Sequence, residues 1–171
     1  MKSLWIDRDL LLDLAGQLMD GHVSYGLGSK ASLDTEPKDV KKIDCSGFIR
    51  YLLYKATDGQ VKMPDGSWHQ NKWCNDQGFE KADYATQASL NDSWLRLGYF
   101  PKKKGMAAGH IWFVLNGQTL ESHGGKGPNR RAWDTKVLKD NVDHCYKIGL
   151  THTYICLPMP VGSDICLPWP F

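Results

Sequence analysis

A protein of mixed helices and strands is predicted, helices leading and a β-hairpin following, and three stretches of the chain predict it. Leu10, Leu11, Leu14, Leu18 and Met19 recur at intervals that place them on one helix face. Phe48, Ile49, Tyr51, Leu52, Leu53 and Tyr54 repeat that helical spacing directly after a cysteine. Gly109-His110-Ile111-Trp112-Phe113-Val114-Leu115 is rich in β-branched and aromatic side chains. It runs into Asn116-Gly117, the strongest two-residue hairpin signal.

The elements follow in order. Asp7 caps the first helix, over residues 7 to about 20, and Gly21 ends it. His22 to Ser29 contains Gly26 and Gly28 and reads as a tight turn. Residues 30 to 43 are polar, with Pro37, and read as a surface loop. Asp44 caps the second helix, from 45 to about 57, and Asp58-Gly59 turns the chain. From there to about residue 80 the sequence reads as irregular. A loop that long inside a compact domain usually wraps a site. A short helix is predicted at 81 to 90, continuing to Leu97. Gln118 to His123 is the returning strand of the hairpin, and Gly124 to Arg131 is a loop. The last strand is predicted from Thr151 to Leu157. The tail from Pro158 to Phe171, with four prolines, is expected to pack as an irregular cover.

Composition narrows the function classes. A chain of 171 residues is long enough for one domain with a proper core, and residues 1–171 are read as a single domain. Hydrophobic residues at 42% and charged residues at 23% are ordinary for a globular protein. The net charge of +2 is too small to suggest nucleic-acid binding, and Lys102-Lys103-Lys104, the one basic run, reads as a solvated loop. Asp7, Arg8 and Asp9 interrupt any apolar leader, and no run approaches a membrane span. The expectation is synthesis in the cytoplasm without a signal peptide. The five cysteines (Cys45, Cys74, Cys145, Cys156, Cys166) are odd in number and include no C-x-x-C, which argues against a zinc ribbon. At least one thiol is left over if the others bridge, and Cys45 is the choice for it; Cys156 and Cys166 could pair across the Pro-rich tail, which the sequence does not decide.

Asp44-Cys45-Ser46-Gly47-Phe48 is the stretch with chemistry in it. A cysteine in the first turn of a helix meets free backbone N–H groups and the positive end of the helix dipole, which favour thiolate, the nucleophilic form. The plainer alternative is a buried structural cysteine. His110 opens the hairpin, where it can hold the thiol proton and pass it to a leaving amine. In a two-residue hairpin Leu115 faces Gln118, His110 is level with His123, and Glu121 lies opposite Trp112. Either Glu121 or His123 can therefore orient the imidazole. A metal reading would recruit His110, His123 and His144 or His152, whose spacing matches no ligand pattern, so neither metal nor cofactor is expected.

These motifs together resemble the NlpC-type cell-wall peptidases, papain-like cysteine hydrolases of peptidoglycan peptides. The resemblance is carried by Tyr25-Gly26-Leu27-Gly28, Asp44-Cys45-Ser46-Gly47-Phe48, Met63-Pro64 with Gln70, His110 to Val114, Asn116-Gly117 and Leu120-Glu121. It covers about residues 20 to 125, and residues 126 to 171 extend beyond it. Two departures stand out: the hairpin is one residue shorter than usual, and Lys104-Gly105-Met106 stands where an Arg-x-Gly-Asp turn is common. The resemblance implies a small α+β domain of papain-like fold, its cysteine helix packed on an antiparallel sheet that carries the histidine. By position it makes Cys45 the nucleophile and His110 the base. Glu121 becomes the third catalytic residue, with His123 as the alternative if a bulge shifts the register. Tyr25, Asp44 and Ser46 match positions that contact substrate, and Trp112 is expected to join them.

The implied reaction is hydrolysis of an amide in a peptidoglycan stem peptide, first the γ-D-glutamyl–diamino acid bond, second the muramoyl–L-alanine amide. The same catalytic pair also serves acyl transfer or deamidation on a protein or lipid, and a non-catalytic wall-binding module is the third class. A wall substrate and no leader point to a phage-related lysin or an injected antibacterial effector acting at the cell wall or periplasm. An immunity protein is the expected partner in the second case.

Overall fold

The computed structural model describes residues 4–82, 84, 94–152, 154–157 and 165–168. Its elements are β1 (Leu4–Asp7), α1 (Arg8–Asp20), α2 (Cys45–Ala56), α3 (Ser67–Asp76), β2 (Glu80–Ala82), β3 (Trp94–Phe100), β4 (His110–Leu115), β5 (Gln118–His123) and β6 (Gly127–Asn129). After them come α4 (Lys136–Asn141), β7 (His144–His152), β8 (Tyr154–Leu157) and β9 (Ile165–Pro168). A 3-10 turn spans Pro37–Asp39.

Local chemistry explains the first two helices. Asp7 Oδ1 accepts from the Leu10 N–H at 3.0 Å, and Asp44 Oδ1 from the Gly47 N–H at 2.7 Å, so each aspartate caps the helix it precedes. Leu11, Leu14, Ala15 and Leu18 of α1 are buried, as are Phe48, Ile49, Leu52 and Leu53 of α2. The hairpin forms as expected: Asn116 and Gly117 both have positive φ, at 50° and 70°, as a type I′ turn requires, and Leu115 pairs with Gln118.

The main sheet runs β1-β7-β3-β4-β5-β6, with β2 also paired to β7. Only β1 and β7 pair in parallel; the other ladders are antiparallel. Alternation along β4 divides the interior. Ile111, Phe113 and Leu115 join Phe48, Ile49 and Leu52 in the larger core beneath α2. Trp112 and Val114 face a second cluster with Tyr84, Phe100, Leu138 and Cys145. This is the expected α+β architecture, a cysteine-bearing helix on a largely antiparallel sheet that carries the histidine.

Several sequence expectations need correction. The stretch from 58 to 80 is not wholly irregular, since α3 occupies Ser67–Asp76. Its sequence lacks an apolar stripe, and only Gln70 and Cys74 are buried. Of the short helix expected at 81 to 90, Tyr84 is helical but residues 81 and 82 belong to β2; its continuation to Leu97 is overturned by β3, and residues 83 and 85–93 lie outside the described residues. The last long strand begins earlier than expected, at His144, because β7 takes partners from β1, β2 and β3 at once. Of the tail, only Ile165–Pro168 is described, a strand that places Cys166 opposite Cys156.

Candidate active site

Cys45 is the first residue of α2, a free thiol with 5% of its surface exposed. The first turn of a helix leaves its N–H groups without intrahelical acceptors, so the Cys45 N–H faces the site unclaimed by the helix ladder. His110 is the first residue of β4, and its imidazole is close enough to Cys45 for the two side chains to act on each other electrostatically. Its Nε2 lies 2.7 Å from Glu121 Oε2, so Nδ1 is the ring nitrogen not engaged by the carboxylate. The imidazole also stacks on Trp112, with ring centroids 5.4 Å apart and planes 19° from parallel. His110 is therefore bonded to Glu121 and electrostatically coupled to Cys45. His123 stands apart from these three, its Nδ1 against the Gly124 carbonyl at 3.0 Å.

Glu121 is fully buried yet fully partnered. Oε1 accepts from Arg131 Nε at 2.6 Å and from the Thr119 hydroxyl at 2.7 Å. Oε2 accepts from His110 and from Arg131 Nη2, the latter at 2.8 Å. Burial alone would raise this carboxyl. Hydrogen bonds from His110 and Arg131, the charge of His110 and the Thr119 hydroxyl overcome it and hold Glu121 at about 2. Burial alone would lower His110. Hydrogen bonds to Cys45 and Glu121, with their charges, outweigh it and lift the imidazole to about 9. The raised value favours the charged form of the imidazole at neutral pH.

The cleft beside Cys45 has a volume of about 550 Å³ and is lined by Leu27, Gly28, Lys30, Trp68 and Lys102 among others. Tyr25, two residues before the lining Leu27, is near enough to Cys45 and Asp44 to feel their charges. Burial, with the neighbouring charges of Cys45 and Asp44, pushes its phenol up to about 12, so it stays protonated and available as a donor. A separate groove of about 330 Å³ between Trp5, Leu10 and Lys55 is lined by neither histidine nor cysteine.

Asp44 and Ser46 border the cleft, but their polar groups are already engaged. Asp44 Oδ1 accepts from the Ser46 hydroxyl at 3.0 Å and from the Gly47 N–H; Oδ2 accepts from the Gly28 N–H at 2.9 Å and from the Lys30 ammonium. One carboxylate thereby joins the cap of α2 to the turn that carries Tyr25 and Gly28. Trp112, expected to touch substrate, is fully buried, with its indole N–H on the Tyr84 hydroxyl at 3.2 Å. It backs the imidazole from inside.

Three contributors were not singled out from sequence. Arg131 lay in a stretch read as a loop. Thr119 gave no signal beyond sharing Glu121's face of β5. Lys30 lay in a polar loop. Gln70, noted only as part of the resemblance, ties α3 to the nucleophile's helix by donating to the Ser46 and Pro64 carbonyls at 2.8 and 2.9 Å. Among the described residues no group of three or more His, Cys, Asp or Glu side chains is placed to hold a metal. His144 is engaged with Asn71 Oδ1 at 2.5 Å.

No family model matches the sequence, and no curated protein matches it. Solved structures do resemble it in fold. A lipoprotein-like protein of the NLP/P60 family from Staphylococcus aureus is 12% identical with a TM-score of 0.55, over 86% of this chain and 44% of its own. The P60 domain of an antigen from M. avium subspecies paratuberculosis is 20% identical with a TM-score of 0.52, over 84% of this chain and 95% of its own. This chain thus spans less than half of the first protein and nearly all of the second domain. The fold is that of the NlpC/P60 proteins, as the motif resemblance implied.

Proposed function

We propose that this chain is a cysteine hydrolase that cuts an amide in peptidoglycan stem peptides, the γ-D-glutamyl–diamino acid bond in particular. The observation that carries the reading is His110, bonded to Glu121 Oε2 at 2.7 Å and electrostatically coupled to the helix-start Cys45 that lines an open cleft. The NlpC/P60 fold and the motif order from Tyr25 to Glu121 support the wall substrate.

In this mechanism Cys45 Sγ attacks the carbonyl carbon and the amide C–N bond breaks. The oxyanion is held by the Cys45 N–H, with the protonated Tyr25 hydroxyl as a second donor. His110 gives its Nδ1 proton to the departing amine while Nε2–H stays on Glu121. A water then loses a proton to His110 and attacks the thioester, releasing the acid and restoring the pair. Delivery to the wall as a phage-related lysin or an injected effector, the latter with an immunity protein as partner, is the setting that suits such a substrate.

The test is digestion of purified muropeptides in ¹⁸O-labelled water, read by tandem mass spectrometry. The expected result is one new carboxyl carrying the label at D-glutamate, with a free diamino acid amine. A labelled muramoyl carboxyl would move the cut to the alanine amide. Intact muropeptides with folded protein would overturn the wall reading and favour acyl transfer, deamidation or binding elsewhere.

A further inference from the structure

Glu121 is an unusual orienter for a base, because a wholly buried carboxylate places a full negative charge against the imidazole. On the side away from the imidazole, Arg131 and the Thr119 hydroxyl answer that charge. Arg131 reaches across from the segment after β6 and grips Glu121 with two parallel N–H bonds, Nε to Oε1 at 2.6 Å and Nη2 to Oε2 at 2.8 Å. A fork of this kind fixes the plane of the carboxylate as well as its position. The grip is itself braced on β5: the Arg131 N–H donates to the Thr119 hydroxyl at 3.2 Å, and the Thr119 N–H donates to the Arg131 carbonyl at 2.8 Å.

We infer that Arg131 is a positioning residue for the base. Its guanidinium holds Glu121 ionised and in the one plane that aims Oε2 at His110 Nε2. Four groups then stand in a row, Cys45, His110, Glu121 and Arg131, with charges that alternate when the thiolate–imidazolium pair forms. Glu121 and Arg131 together are neutral, so the pair orients the imidazole as a dipole would, without leaving a net charge buried behind it. Glu121's low carboxyl is consistent with this role, since the Arg131 hydrogen bonds are among its causes.

The inference rests on the hydrolase reading for its kinetic arm only; the spectroscopic arm is independent of any substrate. The full chain is prepared with ¹⁵N-labelled histidine, unchanged and as Arg131→Lys and Arg131→Gln. The His110 Nε2–H resonance is followed from pH 4 to pH 8. In the unchanged protein it is expected far downfield, as a proton held on a carboxylate, and to persist across the range. In Arg131→Gln it is expected to move upfield and to fade below about pH 6 as Glu121 takes up a proton. Arg131→Lys keeps the charge and loses the fork. It is expected to keep the thermal midpoint while kcat falls about tenfold or more at unchanged KM. If Arg131→Gln does not fold, Arg131→Lys carries the test alone: an unmoved downfield resonance with unchanged kcat in that folded variant overturns the inference. A wild-type resonance with wild-type kcat in folded Arg131→Gln overturns the inference. Muropeptides left intact by every form, with the resonance moving as described, would reject the hydrolase reading and leave the positioning role standing.

Discussion

His110 Nε2 lies 2.7 Å from Glu121 Oε2, across a diagonal of the hairpin formed by β4 and β5. The ladder pairs Phe113 with Leu120, so His110 is level with His123, and Glu121 stands two residues nearer the turn. Diagonal neighbours on one face are within reach of long side chains, and a glutamate spans the gap. Glu121→Gln removes the charge that helps hold His110 at about 9. The alkaline limb of kcat/KM, where the imidazolium is lost, should therefore move to lower pH, and kcat should fall roughly tenfold to hundredfold. A pH–rate profile checks both; an unmoved alkaline limb would mean Glu121 does not act on the base.

Folding stability should carry the same signature. Glu121 sits at about 2 against an ordinary 4.5, so its contribution is present above pH 4.5 and lost as pH falls through the folded value. His110 sits at about 9 against 6.5, so its contribution is complete below pH 6.5 and lost as pH rises through 9. The two share one hydrogen bond and are not additive. Urea titrations at about pH 3, 5.5 and 9 should show a maximum at the middle value, with both slopes flattened in Glu121→Gln. Equal slopes in the two proteins would contradict the linkage.

Asp44→Ala separates a structural role from a substrate contact. It removes the cap of α2 together with the anchor of Gly28 and Lys30. A loss of about 2 kcal/mol is expected from the cap and the orphaned donors, with kcat reduced because the Tyr25 turn loosens against Cys45. Denaturant unfolding beside Michaelis–Menten kinetics decides it. A raised KM at unchanged stability would instead assign Asp44 to substrate.

Gly98→Ala probes the packing behind the base. Gly98 is paired with Trp112, and a Cβ there would lie 2.5 Å from the indole ring. The ring cannot yield freely, because it is stacked on His110 and tethered to Tyr84. A destabilisation of about 2 kcal/mol is expected, with activity falling as Trp112 displaces the imidazole. Thermal unfolding and initial rates measure the two effects; full activity would show that Trp112 does not set the ring's place.

The parts of this molecule that declare themselves in sequence are those with local causes. Asp7 and Asp44 sit before their helices, Asn116-Gly117 closes its hairpin, and alternation brings Glu121 within reach of His110. What stayed hidden depends on contacts distant in the chain. Helix α3 buries chiefly Gln70 and Cys74, so it has no apolar period to read, and tertiary bonds such as Gln70 to the Ser46 carbonyl hold it. Strand β1 pairs with β7 across more than a hundred residues. The choice of Glu121 over His123 was not decidable from register alone. Arg131 and Thr119 surround Glu121 and not His123.

The central claim is that Cys45 is the atom-donating nucleophile, and the most direct measurement is the initial rate of muropeptide cleavage by the folded protein and by Cys45→Ala. Removal of a covalent nucleophile should cost a factor on the order of 10⁴ or more, with circular dichroism and thermal midpoint close to those of the unchanged chain. A Cys45→Ala protein that cleaves within about tenfold of the unchanged rate would place the chemistry elsewhere and contradict the account.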